Sequence, residues 1–261
     1  PSFRVNPQWL WRVFVPIEGI FVGNAYADTT FAVPLVAPPK TCWGQTPMGL
    51  RSWASRGLTP SNALNQYSSV DGVAFSYDAN GNLTSDGANT YAYDSENRLI
   101  SVSGTGTAAD TDFTYDPLGR RITKTVDGVT TRFLYDGDQI IAETDASGNI
   151  LRKYIYGPGI DEPLRMKVSD TGTVSDTDLY YHADGLGSIV ALTDSTGAVV
   201  ERYRYDIYGA PRITDGAGNP RTASVFGNRF LFTGREWDSE SGLYHYRARA
   251  YSPSLGRFLQ R

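Results

Sequence analysis

A short unit recurs through the middle of this chain and limits what it can fold into. It stands as Phe75-Ser76-Tyr77, Tyr91-Ala92-Tyr93, Phe113-Thr114-Tyr115, Phe133-Leu134-Tyr135, Tyr154-Ile155-Tyr156 and Tyr203-Arg204-Tyr205. Asp follows in five copies, as Asp78, Asp94, Asp116, Asp136 and Asp206, and Gly157 in the remaining one. Tyr180-Tyr181-His182 is a looser copy; with Tyr181 as its second tyrosine, the copies are spaced by about 21 residues on average. Rings at i and i+2 share one face of a strand, and the Asp that follows turns the chain.

Between the tyrosines the sequence alternates strand and turn. Asp116-Pro117-Leu118-Gly119 leads into a strand over 121–126 and Asp127-Gly128 into 129–135. Asp136-Gly137 leads into 139–144, and Ala146-Ser147-Gly148-Asn149 into 150–156. An Asp-Gly pair between alternating apolar residues signals a tight hairpin, because both central residues of a type I′ turn need positive φ. One repeat is therefore two strands and two turns. Successive repeats extend one antiparallel sheet, since a single copy cannot bury its own apolar face.

Composition agrees. The 21 Asp against 7 Glu, 20 Arg against 4 Lys, 27 Gly and 17 Tyr favour strands and turns over helices, so the expected class is all-β. A single cysteine, Cys42, excludes an internal disulfide framework. A net charge of −4 gives no global field for nucleic acid or an anionic membrane, so only local patches of charge would serve. The charge is uneven: residues 1–60 carry +3, residues 61–200 carry −11 and residues 201–261 carry +4.

The tyrosines have two readings. Ladders of rings across strands are architecture; exposed rings with aspartates beside them would instead bind carbohydrate or a partner surface. Asp78-Ala79-Asn80-Gly81 resembles a calcium loop only in part, because Leu83 and Asn89 stand where Gly and Glu are required, so it reads as a turn. His182 and His245 have no Cys or Glu at ligand spacing, which argues against a metal site. Walker, nucleophile-elbow and dinucleotide patterns are missing, and no cofactor or membrane span is expected. The sequon Asn82-Leu83-Thr84 lies in a turn and reads as coincidence. Leu243 to Arg249 alternates as one strand, with Leu243, His245, Arg247 and Arg249 on one face and Tyr244, Tyr246 and Ala248 on the other.

The units Tyr77-Asp78-Ala79-Asn80-Gly81-Asn82-Leu83, Tyr93-Asp94-Ser95-Glu96-Asn97-Arg98-Leu99 and Tyr115-Asp116-Pro117-Leu118-Gly119-Arg120-Arg121 resemble the tyrosine-aspartate (YD) repeat of Rhs proteins. That repeat also occurs in toxin-complex C subunits and teneurins. A second resemblance, to the Rhs-associated core domain, rests on His182 to Ser188 with Gly185 and Gly187, on Tyr205-Asp206-Ile207-Tyr208-Gly209, and on Phe232-Thr233-Gly234-Arg235-Glu236. It continues through Gly242 to Arg249, with Tyr244, Tyr246, Arg247 and Arg249, and through Tyr251 to Phe258, with Gly256, Arg257 and Phe258.

The resemblance implies YD repeats over 61–180 and the core domain over 181–261. The repeats would form a spiralling antiparallel sheet, part of a hollow shell around the chain's own C-terminal effector, with the core domain closing one end. In relatives, an aspartyl-protease-like Asp-Pro motif after the Gly-Arg-Phe segment cuts shell from effector. Here the chain stops at Arg261, so no catalytic residue is expected within it; Arg261 either supports the missing cleavage site or is structural. Arg235, Arg247, Arg249, Arg257 and Arg261 are expected to pair with the acidic middle zone. Besides the effector, a secretion-system adaptor, an immunity protein or a cell-surface glycan is implied as partner, in an exported or cell-surface bacterial protein.

Residues 1–60 hold four of the five tryptophans, several prolines and no Tyr-Asp unit. They read as a divergent segment: a linker, degenerate repeats or a mispredicted stretch. Ala25-Tyr26-Ala27 superficially resembles a signal-peptidase site, but Pro16, Glu18 and Asn24 interrupt the apolar run before it and no start Met precedes it. Three functions follow: encapsulation and delivery of an effector, carbohydrate or partner binding, and self-cleavage in a longer chain.

Overall fold

The structure, a computed structural model, describes residues 61–106, 109–169 and 176–261. All of these belong to one compact unit, Pro47–Arg261. The expectations for residues 1–60 lie outside the described residues.

Fifteen strands, from Ser76–Tyr77 to Pro220–Arg221, pair in strict sequence order as an antiparallel meander. The strands expected over 121–156 are there: Arg121–Val126, Val129–Asp136, Gln139–Thr144 and Ile150–Tyr156. A four-stranded C-terminal sheet follows, made of Glu236–Asp238, Leu243–Tyr246, Arg249–Ser252 and Arg257–Phe258. The boundary at 180/181 falls inside the strand Thr177–Ala183, and the long sheet continues to Arg221.

One local device builds the meander. In eight turns, opened by Asp78, Asp94, Asp116, Asp145, Asp184, Asp194, Asp206 and Asp215, the Asp carboxylate accepts the backbone N–H four residues on, at 2.8–3.1 Å. The fourth residue of each is left-handed, with φ from +61° at Asn97 to +94° at Gly218, hence Gly or Asn there. At the fifth position Arg98, Arg120, Asn82, Asn149 and Asn219 return a side-chain bond to the same carboxylate. Asn82 is thereby 1% exposed and fully engaged, so its sequon is closed to modification in the fold.

Asp136 differs. It is the last residue of its strand, and the loop is Gly137-Asp138. Its neighbour turn Asp127-Gly128 has both residues at positive φ, as the type I′ reading requires.

Near the start of the strand leaving six of these turns one residue is bulged out of register, namely Thr84, Ile100, Ile122, Leu151, Val190 and Val200, whereas the strands leaving the Asp206 and Asp215 turns keep their register. Ile141 and Leu164 are bulged likewise after other loops. A bulge adds twist and bends the strand, so its repetition curls the sheet. The carbonyl just before the bulge is where the second tyrosine of the next repeat donates its hydroxyl. Tyr93 bonds Leu83 O, Tyr115 bonds Leu99 O, Tyr135 bonds Arg121 O, Tyr156 bonds Ile140 O and Tyr205 bonds Ile189 O, all at 2.5–2.9 Å. Tyr77 reaches Tyr67 O in the same way. In five of the six copies the first ring is a core residue: Tyr91, Phe113, Phe133, Tyr154 and Tyr203 are each at most 6% exposed, while Phe75 is half-buried at the edge of the core.

The looser copy is shifted by two residues from its sequence reading. Tyr181 is three residues before its turn, at Asp184, and is buried like a first ring. Ala183 takes the second-tyrosine position, and the Tyr181 hydroxyl bonds Asn228 instead.

The curl is tight. Eleven strand spacings separate Leu83–Ser85 from Val199–Tyr205, about 50 Å if flat. Yet Gly256 packs on Tyr208, just past the later strand, while Leu259, only three residues on, bonds Leu83. The C-terminal segment thus ties together two regions that a flat sheet would hold far apart. The end strands Ser76–Tyr77 and Pro220–Arg221 do not pair with each other, so the sheet is bent around its contents without closing as a barrel.

Tyr115→Phe removes one hydroxyl and leaves the Leu99 carbonyl unpaired. Its expected cost is about 1–2 kcal/mol, read as a lowered Tm, whereas outward-facing Tyr180→Phe should stay within about 0.5 kcal/mol of wild type.

Candidate functional site: a buried charge network between the sheets

The C-terminal sheet sits on the inner face of the long one through two aromatic-rich cores. Between the sheets lies a cluster of charge. From the long sheet come Arg121, Lys124, Glu143 and Arg152; from the C-terminal segment come Arg229, Glu236, Asp238 and Glu240. Four cations meet four anions. Arg121, 1% exposed, contacts Asp238 at 2.5 Å and Glu236 at 2.8 Å. Lys124 contacts Asp238 at 3.1 Å and Glu240 at 2.7 Å. Arg229 joins Glu143 at 3.2 Å and Glu236 at 3.1 Å, and Arg152 reaches Glu143 at 2.8 Å. Phe133 lies under both Arg121 and Arg229, and Phe113 under Arg121.

Burial alone would raise the Glu143 carboxyl, but Arg229, Arg152 and the Tyr154 hydroxyl outweigh it and hold its pKa at about 2. Asp238, against the same burial, is held below the usual carboxylate range by Arg121 and Lys124. His245, also buried here, has its pKa pushed down to about 4 by desolvation and then by Arg121.

The expected arginine pairing holds in part. Arg235 and Arg247 both pair with Asp161, at 2.9 and 3.1 Å. Arg249 instead stacks on Phe258 at 3.9 Å, Arg257 stacks on Tyr67 and bonds Asn65 O, and Arg261 lies against the Gly81 turn. The buried network runs both ways: Arg121 and Lys124 of the acidic middle zone meet Glu236, Asp238 and Glu240 of the basic C-terminal zone, while Arg229 meets Glu143 in the expected sense. Sequence reasoning passed over Arg121, Glu143, Arg229 and Asp238. No local pattern marked them: Glu143 has the sequence parity of exposed Ile141 and lies opposite buried Phe133 only because Ile141 is bulged out of register.

Among the other core-motif residues, Gly187 is the left-handed residue of the 184–188 turn, and Gly185 stands in open space. Gly234 is left-handed with the Asp161 carbonyl 2.5 Å from where a Cβ would stand. Tyr244 is fully buried and bonds Gly209 O, and Tyr246 meets the Thr233 hydroxyl. The expected continuous strand over 243–249 is a hairpin. Tyr246 pairs with Arg249, and Arg247 takes φ +58° in a two-residue turn that carries no Gly or Asn to announce it. A cleft of about 370 Å³ opens beside this turn, lined by Arg98, Arg120, Tyr135, Arg235, His245 and Arg247. Among the described residues no group of three or more His, Cys, Asp or Glu is placed to hold a metal ion, and no helix is long and apolar enough to cross a membrane.

The teneurin YD-shell family model matches residues 61–261, the stretch that carries both sheets. This chain belongs to that family. The YD-shell chain is 38% identical over 201 residues to the tRNA nuclease WapA of Bacillus subtilis (strain 168), covering 76% of itself and 8% of the relative. It is 29% identical over 234 residues to the double-stranded DNA deaminase toxin A of Burkholderia cenocepacia (strain H111), covering 78% of itself and 16% of that protein. It therefore spans less than a fifth of the length of either relative. The crystal structure of TcdB2-TccC3-Cdc42 superposes with TM-score 0.58 at 19% identity, over 78% of this chain and 11% of that one, a likeness of fold.

Two outcomes follow for this YD-shell chain. Asp238→Ala takes one of two carboxylate partners from each of Arg121 and Lys124 inside the buried cluster and should cost about 3 kcal/mol, whereas Arg121→Met with Asp238→Leu should cost less than the two single changes summed, as denaturant unfolding will read. Glu143 and His245 both titrate lower in the fold than when unfolded, so in both windows the unfolded chain binds more protons. Stability should be full above pH 6.5, fall toward pH 4 as His245 is forced to charge, and fall again from about 4.5 to 2 through Glu143. His245→Gln should flatten only the upper step of Tm against pH.

Proposed function

We propose that this chain is the closing end of a β-shell that encloses and delivers a toxic C-terminal segment of the same polypeptide. The observation that carries the reading is the position of residues 226–261 inside the curl of the long sheet. They are fixed there by buried ion pairs and by the backbone bond from Leu83 to Leu259 O. A chain led along the inner face of its own sheet suits a container whose contents follow it in sequence. The names of the relatives, one a tRNA nuclease and one a double-stranded DNA deaminase toxin, support a toxic cargo.

On this reading the shell is a container, and the damaging chemistry belongs to the segment downstream. Residues 61–180 supply repeats and 181–261 supply the core motifs, a division of sequence pattern laid over one continuous sheet. Aspartates following Arg261 would cut shell from cargo, with Arg261 beside them as support. The protein would be exported or held at the cell surface, with its cargo, an immunity protein and a secretion adaptor as partners. Carbohydrate recognition by the repeat tyrosines gains no support, because their hydroxyls are committed to backbone carbonyls and their first rings are buried.

Limited proteolysis of the longer natural polypeptide tests the proposal. The segment after Arg261 should resist protease while the shell is intact, and become sensitive when Asp238→Ala loosens the inner sheet. Downstream sequence digested as fast in the intact polypeptide as in isolation would overturn it.

A further inference from the structure

The face of the long sheet turned away from the C-terminal sheet carries a charge imbalance that neither the fold nor the proposed container uses. Between Val129 and Asp215 the outward strand positions hold seven cations, Arg132, Lys153, Arg165, Lys167, Arg202, Arg204 and Arg212, and two anions, Asp136 and Asp178. The whole chain is nonetheless net negative, at −4.

Register brings like charges face to face twice. Lys153 is the direct cross-strand partner of Lys167, and Arg204 of Arg212, an arrangement that weakens a strand pair. Arg202 lies two residues from Arg204 on the same face. Lys167 and Arg165 find Asp176 and Asp178. Among the described residues, Arg132, Lys153, Arg202, Arg204 and Arg212 have no ion pair or side-chain hydrogen bond. Their guanidinium and ammonium groups stand in water, unlike Arg98 and Arg120, which fold back on their own turns.

From this juxtaposition we infer that the outward face between Val129 and Asp215 binds a flexible phosphodiester polymer without nucleobases, of the poly(glycerol phosphate) kind, anchored by Arg202, Arg204 and Arg212. Guanidinium groups present paired N–H donors that match phosphate oxygens. Neighbouring strands place outward side chains about 5 Å apart and alternate residues along a strand about 7 Å apart, so one chain of linked phosphates can meet several cations in succession. The face is the outer side of a curled sheet, which a flexible chain can follow and a flat bilayer can touch only along a line. A nucleic acid would call for aromatic platforms beside the cations, and of the outward strand tyrosines only Tyr180 is exposed.

The test uses the full 261-residue chain with poly(glycerol phosphate) as probe, and with a single-stranded oligonucleotide of equal charge and phosphatidylglycerol vesicles as comparison arms. Binding should weaken steeply with salt, with a slope of about −3 in log K against log salt. Each of Arg202→Gln, Arg204→Gln and Arg212→Gln should lower that slope by about 1 and leave Tm unchanged. The triple variant should lose at least tenfold in affinity. Absence of binding at low salt, equal binding by the triple variant, or tighter binding of the oligonucleotide or the vesicles would each overturn the inference.

Discussion

The structure depends on a carboxylate that closes a five-residue turn. By accepting the N–H four residues on, the Asp at the head of each such turn fixes where one strand ends and the next begins. It also requires a left-handed residue at the fourth position, which is why Gly recurs there. After six of the eight turns a bulge bends the outgoing strand, and after the Asp78, Asp94, Asp116 and Asp184 turns the tyrosine hydroxyl of a later copy satisfies the carbonyl just before it. Turn, bulge and tyrosine form one unit; repeated, they set the direction in which the sheet curls.

Curling gives the sheet an inner face that must be covered, and the last part of the chain covers it. Aromatic rings from both sheets supply the apolar burial. The ion network between them contributes register more than net stability, because burying eight charges is costly even when they balance. Arg121 meets both Glu236 and Asp238, and Glu143 meets both Arg152 and Arg229, so a slip of either sheet by one residue would strand several charges at once. The same balance makes the interface sensitive to acid, with His245 held neutral among cations.

Local chemistry was legible at the level of single elements. The Tyr-Asp spacing, the Asp-Gly hairpin at Asp127 and four strands across 121–156 can be read from the letters. Three features were not. Asp145, Asp194 and Asp215 follow Thr and so escape a search for Tyr-Asp, although they close the same turn. Tyr181 was placed two positions out of step because two adjacent tyrosines conceal which ring points inward. The hairpin at Arg247 carries none of the residues that announce positive φ; there Arg247 is held by Asp161, which is 86 residues away in sequence.

The sequence by itself determined the class of the fold, the order of strands and the chemistry of each turn, because these depend on contacts within about five residues. Tertiary structure decided which charges meet. Arginines chosen for the acidic middle zone found one aspartate, ring stacks and backbone, while Arg121 and Lys124 took the acids of the C-terminal segment. That choice depends on how far the sheet curls before the C-terminal sheet docks, and the curl is a sum of small bulge angles that no local pattern records. It brings Leu83 and Tyr208 to opposite ends of the same short C-terminal segment, and places buried cations beside anions more than 110 residues distant in sequence.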